Sequence, residues 1–115
     1  MGILRILQIA VLAGTILAGL YMMVMPRHAS GFTGLDPEGP RGVTELRAVV
    51  GGLFTALGAA PLVFASPDMG LMLGIAYFAI AAVRLIGMFV DGSAGESSNW
   101  ISFASEIVGG IILVL

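Results

Sequence analysis

Four ionisable residues lie inside stretches that are otherwise apolar: Glu45, Arg47, Arg84 and Glu106. A charge in hydrocarbon costs on the order of 3 kcal/mol or more unless it finds a partner. Two carboxylates and two guanidinium groups carry no net charge between them. Such a set has two uses. It can hold helices in register as an intramembrane charge network, or it can form a polar site for a proton, an ion or a small ligand; failing either, one or two of the four simply snorkel to the headgroups. Other chemistry is sparse. The one histidine, His28, falls in a loop, and no carboxylates stand at ligand spacing from it, so no metal site is expected. Cysteine is absent, which removes disulfides, thiolate ligands and a thiol nucleophile. Asp91-Gly-Ser-Ala-Gly-Glu96 is acidic and glycine-rich but lacks the alternating ligands of a calcium loop. No phosphate-binding loop, dinucleotide fingerprint or nucleophile elbow occurs. The chain reads as non-enzymatic, with no cofactor expected beyond contacts with bound lipid or pigment.

The composition says what surrounds those charges. Of 115 residues, 58% are hydrophobic and only 10% charged, against about 25% charged in soluble domains. Mean hydropathy is +1.06. A soluble domain of this size has a large surface for its volume and must coat it with polar groups. This chain has too few, so a soluble monomer is excluded, and disorder is excluded because so much apolar surface would stay in water. The net charge of −2 and the lack of any lysine leave no footprint for nucleic acid. The solvent is the lipid bilayer.

Four segments must position the charges: about 3–25, 43–64, 69–90 and 98–115, a single four-helix transmembrane domain. The first reaches about 34 Å as a helix, enough for a hydrocarbon core of about 30 Å, and Pro26 ends it. Residues 26–42 are rich in glycine and proline without helical or strand period, and read as a long loop in which Phe32 and Leu35 meet the interface. Residues 65–68 make a tight turn closed by Pro67. Residues 91–97 make a short polar loop, with Ser97 or Ser98 as the cap of the fourth helix. Trp100, near the start of that helix, is an interface anchor. Four spans place both termini on one side, called side A here. Arg27 and Arg41 give the opposite side the positive-inside rule by a margin of one charge, whereas a short uncleaved N-terminus favours the cytoplasm for side A.

Depth draws the charges together. At 1.5 Å per residue, Glu45 and Arg47 lie about 3 and 6 Å, and Arg84 and Glu106 about 9 Å, from the opposite side, side B. The expected pairing is Glu45 with Arg84, or Arg47 with Glu106, or both. Small residues accompany them at helical spacing, as helix contacts in lipid require. Gly70, Gly74, Tyr77 and Ala81 lead to Arg84. Asn99, Ser102 and Gly109 flank Glu106. Arg47 heads the face Gly51, Thr55, Gly58, while Glu45 heads Ala48, Gly52, Ala56, which sets the second span between two neighbours. The expected helix-packing residues are Gly51, Gly52, Gly58, Gly70, Gly74, Tyr77, Ala81, Ser102 and Gly109. On the first span, Gly14, Ala18 and Tyr21 share a side.

Glu45-Leu-Arg47-Ala-Val-Val-Gly51-Gly52, followed by Arg84-Leu-Ile-Gly87 and an acid in the fourth span, resembles a bacterial family of small four-helix membrane proteins. It is the domain of unknown function of the 4345 type, loosely akin to the DoxX-like proteins. The resemblance covers most of the chain. It implies a four-helix fold in the bacterial inner (cytoplasmic or intracytoplasmic) membrane, and places the family's charged motif positions on Glu45, Arg47, Arg84 and Glu106. It implies no activity.

The sequence therefore predicts an all-α membrane protein, an antiparallel bundle of four transmembrane helices with a long connection between the first two. The expected role is an auxiliary or structural subunit of a larger membrane complex, respiratory or photosynthetic, in contact with other membrane subunits or with copies of itself. The alternative is a homo-oligomeric small carrier or channel that uses the charged cluster as its ion, proton or ligand site.

Overall fold

The first helix, α1 (Ile3–Val24), is free of proline and runs unbroken until Pro26 removes the next donor. The computed structural model describes residues 2–115. The long connection is more ordered than its composition suggests. It contains one turn of helix, α2 (Ser30–Thr33), closed by Gly34 in the left-handed region at φ 72°. The second long helix, α3 (Gly39–Val63), then begins four residues before the expected Val43. Pro40 favours this early start, because its fixed φ suits a first turn and its missing N–H falls where no intrahelical acceptor exists.

Within α3, residues Leu46–Gly52 are wound as a π-helix, a rare form concentrated at functional sites. The α3–α4 connection is short. Ala65 adopts φ 48°, and Ser66 N–H reaches back to the Pro61 carbonyl at 3.2 Å, the six-to-one bond of a left-handed helix stop. Ser66 then caps α4 (Pro67–Val90), its hydroxyl accepting from Met69 N–H at 3.4 Å. The last helix, α5 (Ser97–Val114), takes Glu96 as its cap residue without a side-chain bond. The expected serine cap does not form, because the extended cap backbone falls one residue earlier and Asn99 N–H closes the turn on the Glu96 carbonyl.

Four helices are long and apolar enough to cross a membrane, and there is no strand among the described residues. The chain is an all-helical, multi-pass membrane protein. Its longest dimension of 43 Å exceeds the hydrocarbon thickness, so the connections reach the headgroup layers. Arg5, Ala65 to Asp68 and Leu113 to Leu115 line one groove, which puts both chain ends and the α3–α4 turn at side A.

Lipid removes the hydrophobic drive between helices, so close backbone approach must hold them. The structure uses two glycine seams. On the α1–α3 seam, a Cβ at Gly58 would lie 2.8 Å from the Leu12 carbonyl, and one at Gly51 would lie 2.8 Å from Met23 N. On the α4–α5 seam, a Cβ at Gly74 would lie 2.9 Å from Val114 and 3.2 Å from the Gly110 carbonyl. Ala81 is fully buried. Two expected contacts are not made. Gly52 meets only its own helix, and a Cβ at Gly70 would touch nothing within 4 Å. Ala48 and Ala56, on the same face as Gly52, are exposed, so only one of the two small faces of α3 is a seam. Gly19, against Thr55 and the Gly51 carbonyl, and Gly110, against the Phe78 ring, complete the seams; the sequence reading did not single them out.

The two helix pairs, α1 with α3 and α4 with α5, meet each other much less extensively than their members meet. Where they do meet, toward side A, Leu12, Leu73 and Leu113 form a buried core flanked by Val11, Leu57 and Tyr77. Toward side B the pairs diverge.

Candidate functional site

The divergence leaves a cavity of about 710 Å³, within the range of small-molecule sites. Its walls are mostly apolar and come from all four long helices. Val11, Gly14, Ala18 and Tyr21 of α1 face Phe54 of α3, Tyr77 and Ile80 of α4, and Val108 and Gly109 of α5. His28, Ala29, Phe32 and Leu35 from the connection around α2 close the side-B end. Phe32 and Leu35, expected at the interface, are half-exposed and line this opening.

Polar groups converge on the cavity at two levels. Nearer the core, the Tyr77 and Thr15 hydroxyls are hydrogen-bonded to each other, and Thr15 donates to the Val11 carbonyl at 2.9 Å. A hydroxyl has one hydrogen, so Tyr77 is the donor to Thr15. Nearer side B stands the ion pair. Arg84 Nε donates to both carboxylate oxygens of Glu106 at 3.0 Å, and Nη2 donates to Oε1 at 2.6 Å. Nη1 donates to Asn99 Oδ1 at 3.2 Å, and the Asn99 amide is fixed in turn by two 3.1 Å bonds to Ser93. Glu106 is only 7% exposed, so its charge depends on Arg84. Forked, charge-assisted bonds of this kind are strong and set orientation as well as distance. Ser102, one turn before Glu106, also lines the cavity.

The four charges do not form one network. Arg84 and Glu106 meet, but Glu45 pairs with Arg41, four residues earlier on its own helix and largely in the open. Arg47 donates to the carbonyls of Met23 and Val24, among the last acceptors of α1, which have no intrahelical donor. The expected Glu45–Arg84 and Arg47–Glu106 pairings are replaced because the start of α3 at Gly39 brings Arg41 onto the same helix one turn before Glu45, while Arg47 lies against the end of α1. Depth located the charges, but it carries no information on azimuth. Trp100 donates to the Ala94 carbonyl at 2.7 Å and stacks edge-on against Phe89 and Phe103. The aromatic group sits at the side-B end of α4 and α5.

A family model described as "Domain of unknown function (DUF4345)" matches residues 3–115. The chain belongs to this family. The match takes in every wall of the cavity, so in this DUF4345 protein the cavity is part of the family domain itself. Neither the curated proteins nor the solved structures contain a match to the chain.

Sequence reasoning missed Thr15, His28 and Phe54. A threonine in the middle of an apolar helix was the one available signal. The cavity itself has none, because it arises from how far apart two helix pairs stand.

Proposed function

We propose that this DUF4345 protein is a non-enzymatic membrane protein that binds a lipophilic small molecule between its two helix pairs, as a carrier or receptor for it. One observation carries the reading: a cavity of about 710 Å³ lies at membrane depth and is walled by the buried Arg84–Glu106 pair. An ion pair that served packing alone would be best placed in a filled seam, where bonds to neighbours satisfy it. This one borders open volume. The small residues Gly14 and Ala18 also stand on the cavity wall, and a Cβ at Gly14 would touch nothing within 4 Å.

A role as auxiliary subunit of a larger assembly has no observation of its own. Lipid accounts for the exposed apolar side chains of α4, such as Val83, Ile86 and Phe89. The test is extraction. Protein purified in mild detergent is expected to yield a lipophilic compound in organic extract, at near-stoichiometric amount by mass spectrometry. Gly14→Phe, which fills the cavity from a position with room for a side chain, is expected to yield little of it. Equal recovery from both proteins, or none from either, would refute the reading.

A further inference from the structure

Resting on that reading of the cavity, we propose that its ligand is an uncharged amphiphile whose head is a hydroxyl group, accepting from Arg84 and donating to Glu106 or Tyr77. The charge argument comes first. Arg84 and Glu106 cancel each other, and the wall has no further charge at their level; the other titratable groups on the cavity are Tyr77 and, toward its side-B end, Tyr21 and His28. A carboxylate or phosphate head would sit beside the Glu106 carboxylate, and an ammonium head beside the Arg84 guanidinium. In a low-dielectric site either arrangement leaves an excess charge that the protein does not balance. A neutral head incurs no such cost.

The hydrogen-bond inventory then selects the kind of neutral head. Arg84 has five N–H donors. Glu106 and Asn99 occupy Nε–H, one on Nη1 and one on Nη2. One N–H on each terminal nitrogen is left to donate. On the other side are acceptors. Glu106 Oε2 receives only a shared contact from Nε, whereas Oε1 receives two bonds. Tyr77 spends its hydrogen on Thr15, which leaves its oxygen lone pairs for an incoming donor. The site offers donors and acceptors together. An ether, ester or ketone could use only the donors. An alcohol accepts from Arg84 and donates to Glu106 or Tyr77. The apolar remainder of the ligand lies along Ile80, Val11 and Phe54.

The test uses the full chain in detergent and four probes with the same alkyl tail: 1-tetradecanol, tetradecanoic acid, 1-tetradecylamine, and methyl tetradecyl ether. Binding is read by native mass spectrometry, with Gly14→Phe as the blocked control. The alcohol is expected to bind about tenfold or more tightly than each of the others, since each lacks a bond or adds an unbalanced charge. Glu106→Gln, which frees the Arg84 charge, is expected to reverse the order and favour the acid. Tyr77→Phe, which keeps the ring, is expected to narrow the gap between alcohol and ether severalfold, and it serves should the Glu106 variant fail to fold. If the acid or amine matches the alcohol on the unaltered protein, the head-group assignment is overturned while the cavity stands as a ligand site. If the ether matches the alcohol, the hydroxyl assignment alone is overturned. If none of the four binds better to the unaltered protein than to Gly14→Phe, both the assignment and the reading of the cavity fall.

Discussion

The two halves of this bundle are built from similar residues and reach opposite ends. Within each helix pair, glycines press on backbone, and toward side A Leu12, Leu73 and Leu113 fill the space between the pairs. Toward side B, glycine and alanine line the cavity between the pairs, and an ion pair borders it. A small residue in a membrane helix therefore carries no fixed meaning. It closes a seam where a second helix lies against it, and it opens a volume where none does. The same holds for charge: Arg84 and Glu106 lie under the membrane surface and need each other, whereas Arg41 and Glu45 pair where water reaches both.

The contrast can be broken by substitution. The largest effect belongs to Arg84→Leu, which leaves the Glu106 carboxylate buried and alone. It is expected to cost about 3–5 kcal/mol, read as a lowered unfolding temperature in detergent, and most of the loss is expected to return in the double variant Arg84→Leu with Glu106→Leu. An unchanged unfolding temperature for the single variant would end the view that the pair is buried. Next comes the seam. Gly58→Ala places a methyl group 2.8 Å from the Leu12 carbonyl and is expected to cost about 1–3 kcal/mol by overpacking. Gly14→Ala, the same change on the cavity wall, is expected to gain up to about 1 kcal/mol, since it meets only space and improves helix propensity. Should both glycines respond alike, the distinction between seam and cavity fails. The smallest effect is at Glu45→Gln, where loss of a surface pair is expected to move stability by less than about 0.5 kcal/mol.

Much of the architecture was legible in the sequence, for physical reasons. Hydrocarbon demands long unbroken apolar runs, so the spans are marked by their interruptions: Pro26, Pro67 and the polar stretch from Asp91. The same medium makes a buried charge conspicuous, which is why Arg84 and Glu106 stood out from their depth alone. Their partnership did not, because a depth estimate leaves rotation about each helix axis free. The start of α3 at Gly39 was hidden by a glycine-rich, proline-containing segment that composition assigns to a turn. Gly52 and Gly70 stand at seam spacing without meeting a neighbouring helix, while Gly19 and Gly110 do meet one, since spacing along one helix does not say where its neighbour lies. The cavity was the least legible feature, being an absence of atoms set by the angle between helix pairs.

The wide turns of Leu46–Gly52 hold slack. A stretch wound one residue loosely can surrender a residue and tighten to ordinary pitch, leaving Thr55 and Gly58 where they were. Loss of one residue within these two turns is thus expected to be absorbed there, and the helix beyond them keeps its grip on α1.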